Sequence, residues 1–126
     1  MADSAWDAPH QETAVPTVVE RLRQICLALP ETHEEITWGT DVNFRVRSKI
    51  FCFPGETSMT VKVPKDALIV LLDDPRFSVA PYVGRFGWLT MQFVEPIDWA
   101  EVEGLVRGSY RLIAPKTLAR LVTEPG

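Results

Sequence analysis

Short strand-like segments follow one another with gaps of a few residues between positions 36 and 63. Apolar and polar residues alternate in a way that predicts strands at residues 36–38, continuing at 42–47, then at 49–53 and 57–63. Turn-forming residues fill the gaps, at Gly39-Thr40, Arg47-Ser48 and Pro54-Gly55-Glu56. Because parallel neighbours need a crossover of a dozen or more residues, this spacing predicts antiparallel pairing.

Helical patterns surround these strands. Apolar residues recur at three- and four-residue steps from Pro16 to Leu29, a second helix begins at Pro64, and a third opens at Asp98, where Glu101 completes a capping-box pattern. A short helical tail follows at residues 116–122, and one more strand is expected at 88–93. Residues 31–35 are predicted to be an acidic connector and residues 76–87 a loose segment. The pattern indicates an α+β, two-layer fold with helices packed on one face of an antiparallel sheet.

The other face of that sheet is left to meet solvent or a partner. Period-two alternation places a set of polar and aromatic side chains there: Arg45, Arg47, Lys62, Trp88, Thr90 and Gln92. Lys49 need not share this face, because a hairpin turn at residues 47–48 resets the alternation.

The length of 126 residues fits one domain. Residues 1–14 show no periodicity and are predicted to be a flexible tail, leaving a single domain at residues 15–126. The N-terminal segment lacks the pattern of a secretion signal, and no apolar run approaches the ~20 residues that cross a bilayer. We expect a cytoplasmic protein without a membrane partner. Cys26 and Cys52 lie among apolar residues, which predicts buried free thiols.

The net charge of −4 is unevenly distributed. Residues 41–90 carry seven basic and five acidic residues, a local charge of +2. An acidic chain lacks the excess of cations that supports strong nucleic-acid binding, but this central region can still form a local basic patch.

Two interpretations of the central cations remain open. Arg45, Arg47, Lys49 and Lys62 can contact phosphates, or they can be solvated charges that prevent sheets from pairing edge to edge. The loop at residues 80–88 is similarly ambiguous. Tyr82, Arg85 and Trp88 have the composition for stacking on bases or cupping an anion, whereas Phe86 is expected to be a lid on the core.

Catalytic signatures are weak, and we expect no enzymatic activity, no cofactor and no metal. Ser109 has no base placed to activate it, since the histidines are His10 in the tail and His33 in the connector. We expect Ser109, with Gly104 and Gly108, to let the third helix pack closely on the sheet, and the hydroxyl of Tyr110 to bond at the edge of the core. The run His33-Glu34-Glu35 cannot converge on one ion from an extended strand.

Several short motifs resemble the MmcQ/YjbR-like family over about residues 18–122. They are Leu29-Pro30, Trp38-Gly39, Phe44-Arg45-Val46, Lys49-Ile50-Phe51, Lys62, Pro81-Tyr82, Gly87-Trp88-Leu89 and Ser109-Tyr110-Arg111-Leu112. The resemblance implies a fold similar to type III secretion chaperones, with the order α-β-β-β-α-β-β-α, and a "double-wing" DNA-binding role. The chain departs from the family pattern in having Ser48 where glycine is common and in its net negative charge.

The sequence and the resemblance together predict a non-enzymatic protein that binds DNA weakly and electrostatically. The predicted contacts are Arg45, Arg47, Lys49, Lys62, Tyr82, Arg85 and Trp88. The alternative is a protein–protein interaction or chaperone-like module that uses the open sheet face.

Overall fold

A computed structural model describes residues 16–37, 39, 41–81 and 86–122. Predictions for the tail at residues 1–14, and for Trp38, Tyr82 and Arg85, lie outside these residues. The helices are α1 (Val18–Leu27), α2 (Lys65–Leu71), α3 (Trp99–Ile113) and α4 (Lys116–Ala119). The strands are β1 (Thr32–Thr37), β2 (Asp41–Val46), β3 (Lys49–Phe53), β4 (Ser58–Lys62), β5 (Phe77–Val79) and β6 (Trp88–Gln92).

The strands form one six-stranded sheet in the order β1-β2-β3-β4-β6-β5, and every neighbouring pair is antiparallel. The predicted α+β fold and antiparallel pairing are therefore confirmed. Four strands precede α2, one more than the family order implies, because the chain that was expected to be an acidic connector forms most of β1.

The sequence pattern missed β5 and all but the end of β1, the two edge strands. β1 is polar on both faces: on the helix side Glu34 pairs with Arg23 of α1 and the Thr32 hydroxyl donates to the carbonyls of Cys26 and Leu29, and on the other side His33 contacts Glu35. β5 is three residues long and lies inside the segment that was predicted to be loose. Edge strands bury little apolar surface, so their alternation is weak.

The core lies between the sheet and helices α1 and α3. Buried residues from both layers include Leu22, Phe44, Val61, Leu89 and Val106. Cys26 and Cys52 are buried free thiols, as predicted, and a hydrogen bond between them, together with burial, raises the pKa of Cys26.

Helix α1 begins at Val18, two residues after Pro16, the residue that was expected to start it. Thr17 is its N-cap: the hydroxyl accepts from the N–H of Glu20, and the Glu20 carboxylate accepts from the N–H of Thr17. This reciprocal capping box satisfies two amides that would otherwise be unpaired.

Ser109 of α3 inserts its hydroxyl between strands β3 and β4. The Oγ atom accepts from the N–H of Lys62 at 2.9 Å and donates to the carbonyl of Phe51 at 2.6 Å. Register pairs join β3 and β4 at Cys52–Val61 and Phe53–Thr60, next to this point. The side chain therefore bridges two strands that diverge, and α3 is fixed to the sheet by a buried polar contact.

The apolar spacing of α3 also predicts that Leu112 lies in the core, but its side chain is 45% exposed. Ser109 and Tyr110 are buried instead. Gly108 was expected to permit close packing, yet a Cβ atom there would meet nothing within 4 Å. The Tyr110 hydroxyl donates to the carbonyl of Pro30 at 2.8 Å, which confirms its predicted bond at the core edge.

Candidate nucleic-acid interface

Lys62 and Trp88 lie side by side on the sheet face opposite the helices. They are cross-strand partners on β4 and β6, next to the buried pair Val61–Leu89, whose side chains point the other way. The ring of Trp88 packs edge-on against Phe53, with 5.6 Å between centroids and 67° between planes. The prediction that Lys62 and Trp88 share the open face is confirmed, and Phe53 is an addition to it.

Gly87 fixes the position of Trp88 at the start of β6. Its φ angle is +94°, and a Cβ atom there would lie 2.8 Å from the carbonyl oxygen of Val63 and 3.8 Å from Cγ of Lys62. The N–H of Val63 donates to the carbonyl of Gly87 at 2.9 Å. Only glycine tolerates this conformation and this contact without strain, so the approach of the two strands depends on it.

A row of hydroxyl groups crosses the same face beside Lys62 and Trp88. The Oγ1 atoms of Thr60 and Thr90 are 2.9 Å apart, and Ser78 is the cross-strand partner of Thr90 on β5. This part of the open face therefore combines the cation of Lys62 with two aromatic rings and small polar groups.

Arg45 lies on the open face, but its guanidinium is already engaged. It donates to Asn43 Oδ1 at 2.9 Å and to the carbonyl of Ser48 at 3.2 Å, and Glu35 lies 3.6 Å from Nε. The Glu35 carboxylate also contacts His33 at 2.7 Å. Arg45 is thus part of a local polar network rather than a cation held out to solvent.

Arg47 does not extend the open face as predicted. It adopts a φ of +55° in the β2–β3 turn, which ends the strand alternation, and its side chain lies against Glu31. Nε donates to Glu31 Oε1 at 3.0 Å, and this bond raises the pKa of Arg47 and lowers that of Glu31. Both side chains remain about half exposed, at 54% and 52%.

Arg47 and Lys49 line a surface depression of about 500 Å³ between the β2–β3 turn and the junction of α3 with α4. Leu112, Ile113 and Pro115 form its apolar wall, and Lys116 lies at its rim. Sequence alternation cannot predict this grouping, because it depends on where α3 ends relative to the sheet. Lys116 belongs to the site for that reason and was missed.

Charges separate along the strand direction. One end of the sheet comprises the β2–β3 turn, the end of β4 and the start of β6, and we call it the basic end. It carries all four lysines of the chain, Lys49, Lys62, Lys65 and Lys116, together with Arg47 of the β2–β3 turn. Glu31 and Asp66 are acids at the same end.

The opposite end, which we call the acidic end, contains the turns that follow β1, β3 and β6. It carries Asp41, Glu56, Glu95 and Asp98. Asp41 and Glu56 therefore lie far along the strands from the lysines and do not interrupt the basic end.

Within the described residues, none of the four lysines forms an ion pair. Most arginines, by contrast, are engaged: Arg76 bridges Asp74 and Glu101, with a shortest contact of 2.7 Å, and Arg23 contacts Glu34 at 2.8 Å. The free cations of the described chain are concentrated at one end.

Phe86 was expected to cover the core but is 53% exposed. Ser109, with its hydroxyl committed to two backbone groups, is structural as predicted. In the part of the chain that the structure describes, no group of three or more acidic, histidine or cysteine side chains is arranged to hold a metal. His33 and Glu35 face one side of β1 while Glu34 faces α1, as an extended strand requires.

The comparison with known proteins agrees with this architecture. The YjbR family model matches residues 27–112. The chain belongs to the YjbR family. Its structure is similar to the crystal structure of Deinococcus radiodurans protein DR2400, with DUF419 as its family-model domain, at a TM-score of 0.67 and 20% identity. The match covers 87% of this chain and 90% of that one, and at this identity it supports the fold.

No curated protein matches this YjbR-family chain. None of the helices in its described residues has the length and apolar content that spanning a bilayer requires.

Proposed function

We propose that this YjbR-family protein is a non-enzymatic DNA-binding protein whose basic end contacts backbone phosphates. The observation that carries the proposal is the placement of all four lysines, without ion pairs in the described residues, at one end of the sheet. Ammonium groups on flexible stems suit phosphate contacts, which position a protein on DNA without reading its sequence. The cytoplasm is the compartment we propose.

Trp88 and Phe53 give the basic end a second mode of contact. Their rings pack together beside Lys62 on the open face, and both side chains are partly exposed. Aromatic rings beside a cation bind unpaired bases by stacking, with little sequence preference. This arrangement favours single-stranded or partly opened DNA over an intact duplex.

The net charge of −4 limits the affinity. Because the acidic end repels the same polyanion, we expect weak binding with a steep salt dependence. A plot of the logarithm of the association constant against the logarithm of the salt concentration should have a slope of roughly −0.7 to −0.9 for each phosphate that the protein neutralises.

Fluorescence anisotropy with labelled single- and double-stranded oligonucleotides, over about 20 to 200 mM salt, tests the proposal. Lys62→Gln should weaken binding and make the salt slope shallower by about one phosphate contact. Gln92→Glu is the matched control: it changes the net charge equally, on the same face, at the far end of β6. Equal effects of both variants, or no binding by the parent protein at the lowest salt, would contradict the proposal.

A protein-interaction role is a second candidate, supported by exposed apolar side chains near one sheet edge. Ile69 and Val70 of α2 are 75% and 70% exposed, and Val79 of edge strand β5 is 49% exposed. Such side chains are typical of protein contacts when they adjoin an unpaired strand. Light scattering after size exclusion tests this: a dimer that Val79→Lys converts to a monomer supports it, and a monomer at all concentrations counts against it.

A further inference from the structure

The depression between the β2–β3 turn and the α3–α4 junction combines three cations with an apolar wall. Arg47, Lys49 and Lys116 lie around it, and Leu112, Ile113 and Pro115 line its inner side. A sugar phosphate has two parts that match these two sides: charged phosphate oxygens, and a sugar with carbon-bound hydrogens. A volume of about 500 Å³ is ample for one such unit.

A carboxylate of the chain already pairs with the guanidinium of Arg47. Glu31 offers two oxygens to the Arg47 fork, at 3.0 and 3.5 Å, in the geometry that a phosphate would adopt. The backbone supports this pairing, because both residues have a φ of +55° and the N–H of Arg47 donates to the carbonyl of Glu31. An ion pair between half-exposed side chains is weak and can be displaced by a stronger anion.

We propose that this depression binds a backbone phosphate of nucleic acid, and that Glu31 is an internal competitor that the phosphate displaces from Arg47. The proposal rests on the proposed function and assigns its principal phosphate contact. Lys49 and Lys116, exposed and without ion pairs in the described chain, add two further positive charges around the depression. Asp66 is the other acid of the basic end; it lies in the first turn of α2, where its carboxylate accepts from the N–H of Ala67.

A gain of affinity is the sharpest test. Glu31→Gln removes the competing charge and should strengthen binding to a single-stranded oligonucleotide by roughly threefold, the scale of one exposed ion pair. Glu56→Gln, which removes one negative charge at the acidic end, is the control and should change the affinity by less than about twofold. Lys49→Gln and Lys116→Gln should each weaken binding. Circular dichroism checks that every variant is folded.

The outcomes separate this inference from the function on which it rests. If Lys62→Gln weakens binding while Glu31→Gln behaves like Glu56→Gln and the other lysine variants bind normally, the depression is not the phosphate site and the DNA-binding proposal stands. If the parent protein binds no oligonucleotide, titration with inorganic pyrophosphate, followed by amide chemical shifts, tests the depression alone. Shifts at Ser48 and Lys49 that Lys116→Gln abolishes would support the phosphate site, and unchanged shifts would overturn it.

Discussion

The hydroxyl of Ser109 donates to the carbonyl of Phe51 at 2.6 Å, across 58 residues of sequence. It also accepts from the N–H of Lys62, so one small side chain satisfies two backbone groups that would normally bond to each other. Both strands depend on α3 at this point.

Ser109→Ala should destabilise the protein by about 1–3 kcal/mol, because it leaves a buried N–H and a buried C=O without partners. Urea unfolding monitored by circular dichroism measures the change. Ser78→Ala, at an exposed position of β5, is the control and should stay within about 0.5 kcal/mol. Similar unfolding midpoints for the two variants would show that β3 and β4 pair directly without the hydroxyl.

Substitution by alanine should change the free energy of unfolding in opposite directions at two glycines. Gly87→Ala should cost about 1–3 kcal/mol, because φ is +94° and the new Cβ would approach the Val63 carbonyl at 2.8 Å. Gly108→Ala should stabilise the protein by about 0.5–1 kcal/mol, since it lies within α3 and its Cβ would meet nothing within 4 Å. Thermal and urea unfolding measure both, and a change of the same sign would contradict the described conformation of Gly87.

The ion pair between Glu34 and Arg23 predicts a pH dependence of stability. The hydrogen bond from Arg23 lowers the pKa of Glu34 below its usual value of 4.5. Because the folded-state pKa is lowered, the stabilisation is present above the unfolded pKa and is lost as the pH falls through the folded one. The parent protein should exceed Glu34→Gln in stability near pH 7, and the difference should shrink near about pH 3. If the difference in stability between the parent protein and Glu34→Gln stays constant with pH, the ion pair is not its cause.

Arg76 should stabilise the acidic end of the sheet. Its guanidinium contacts Asp74 at 2.7 Å and Glu101 at 2.9 Å, which joins the turn before β5 to the first turn of α3. Arg76→Gln should lower the urea midpoint of unfolding, because it leaves two carboxylates unpaired, and partial exposure limits the size of this effect. Arg120→Gln, on an exposed side chain, should change the free energy of unfolding by less than about 0.5 kcal/mol.

Much of the fold could be predicted because turns and alternation are local. The positions of β2, β3, β4 and β6 follow from residues within each segment, and so does the placement of Lys62 and Trp88 on the open face. Two strands escaped prediction because they lie at the sheet edges, where polar residues such as Glu34 are satisfied by a helix instead of by solvent. Arg23, the partner of Glu34, is eleven residues away in the sequence, so this pairing produces no local alternation of apolar and polar residues.

The candidate site was harder to predict, since it depends on contacts between distant segments. Arg47 leaves the face that its strand suggests because of one left-handed residue in a turn. Lys116 joins Lys49 because α3 ends beside the β2–β3 turn. Leu112 is exposed despite the apolar spacing of α3, because the local pattern does not show which turn of the helix extends past the sheet. Phe86, in the loop before β6, is exposed although it was expected to cover the core.

The bridge made by Ser109 divides the sheet into two three-stranded halves, β1-β2-β3 and β4-β6-β5, with a short seam between them. The free lysines are divided in the same way, with Lys49 on one half and Lys62 on the other. The spacing between these two cations is therefore set by how far the seam opens. In the proposed DNA-binding role, α3 would therefore set the distance between the two lysines that contact neighbouring phosphates.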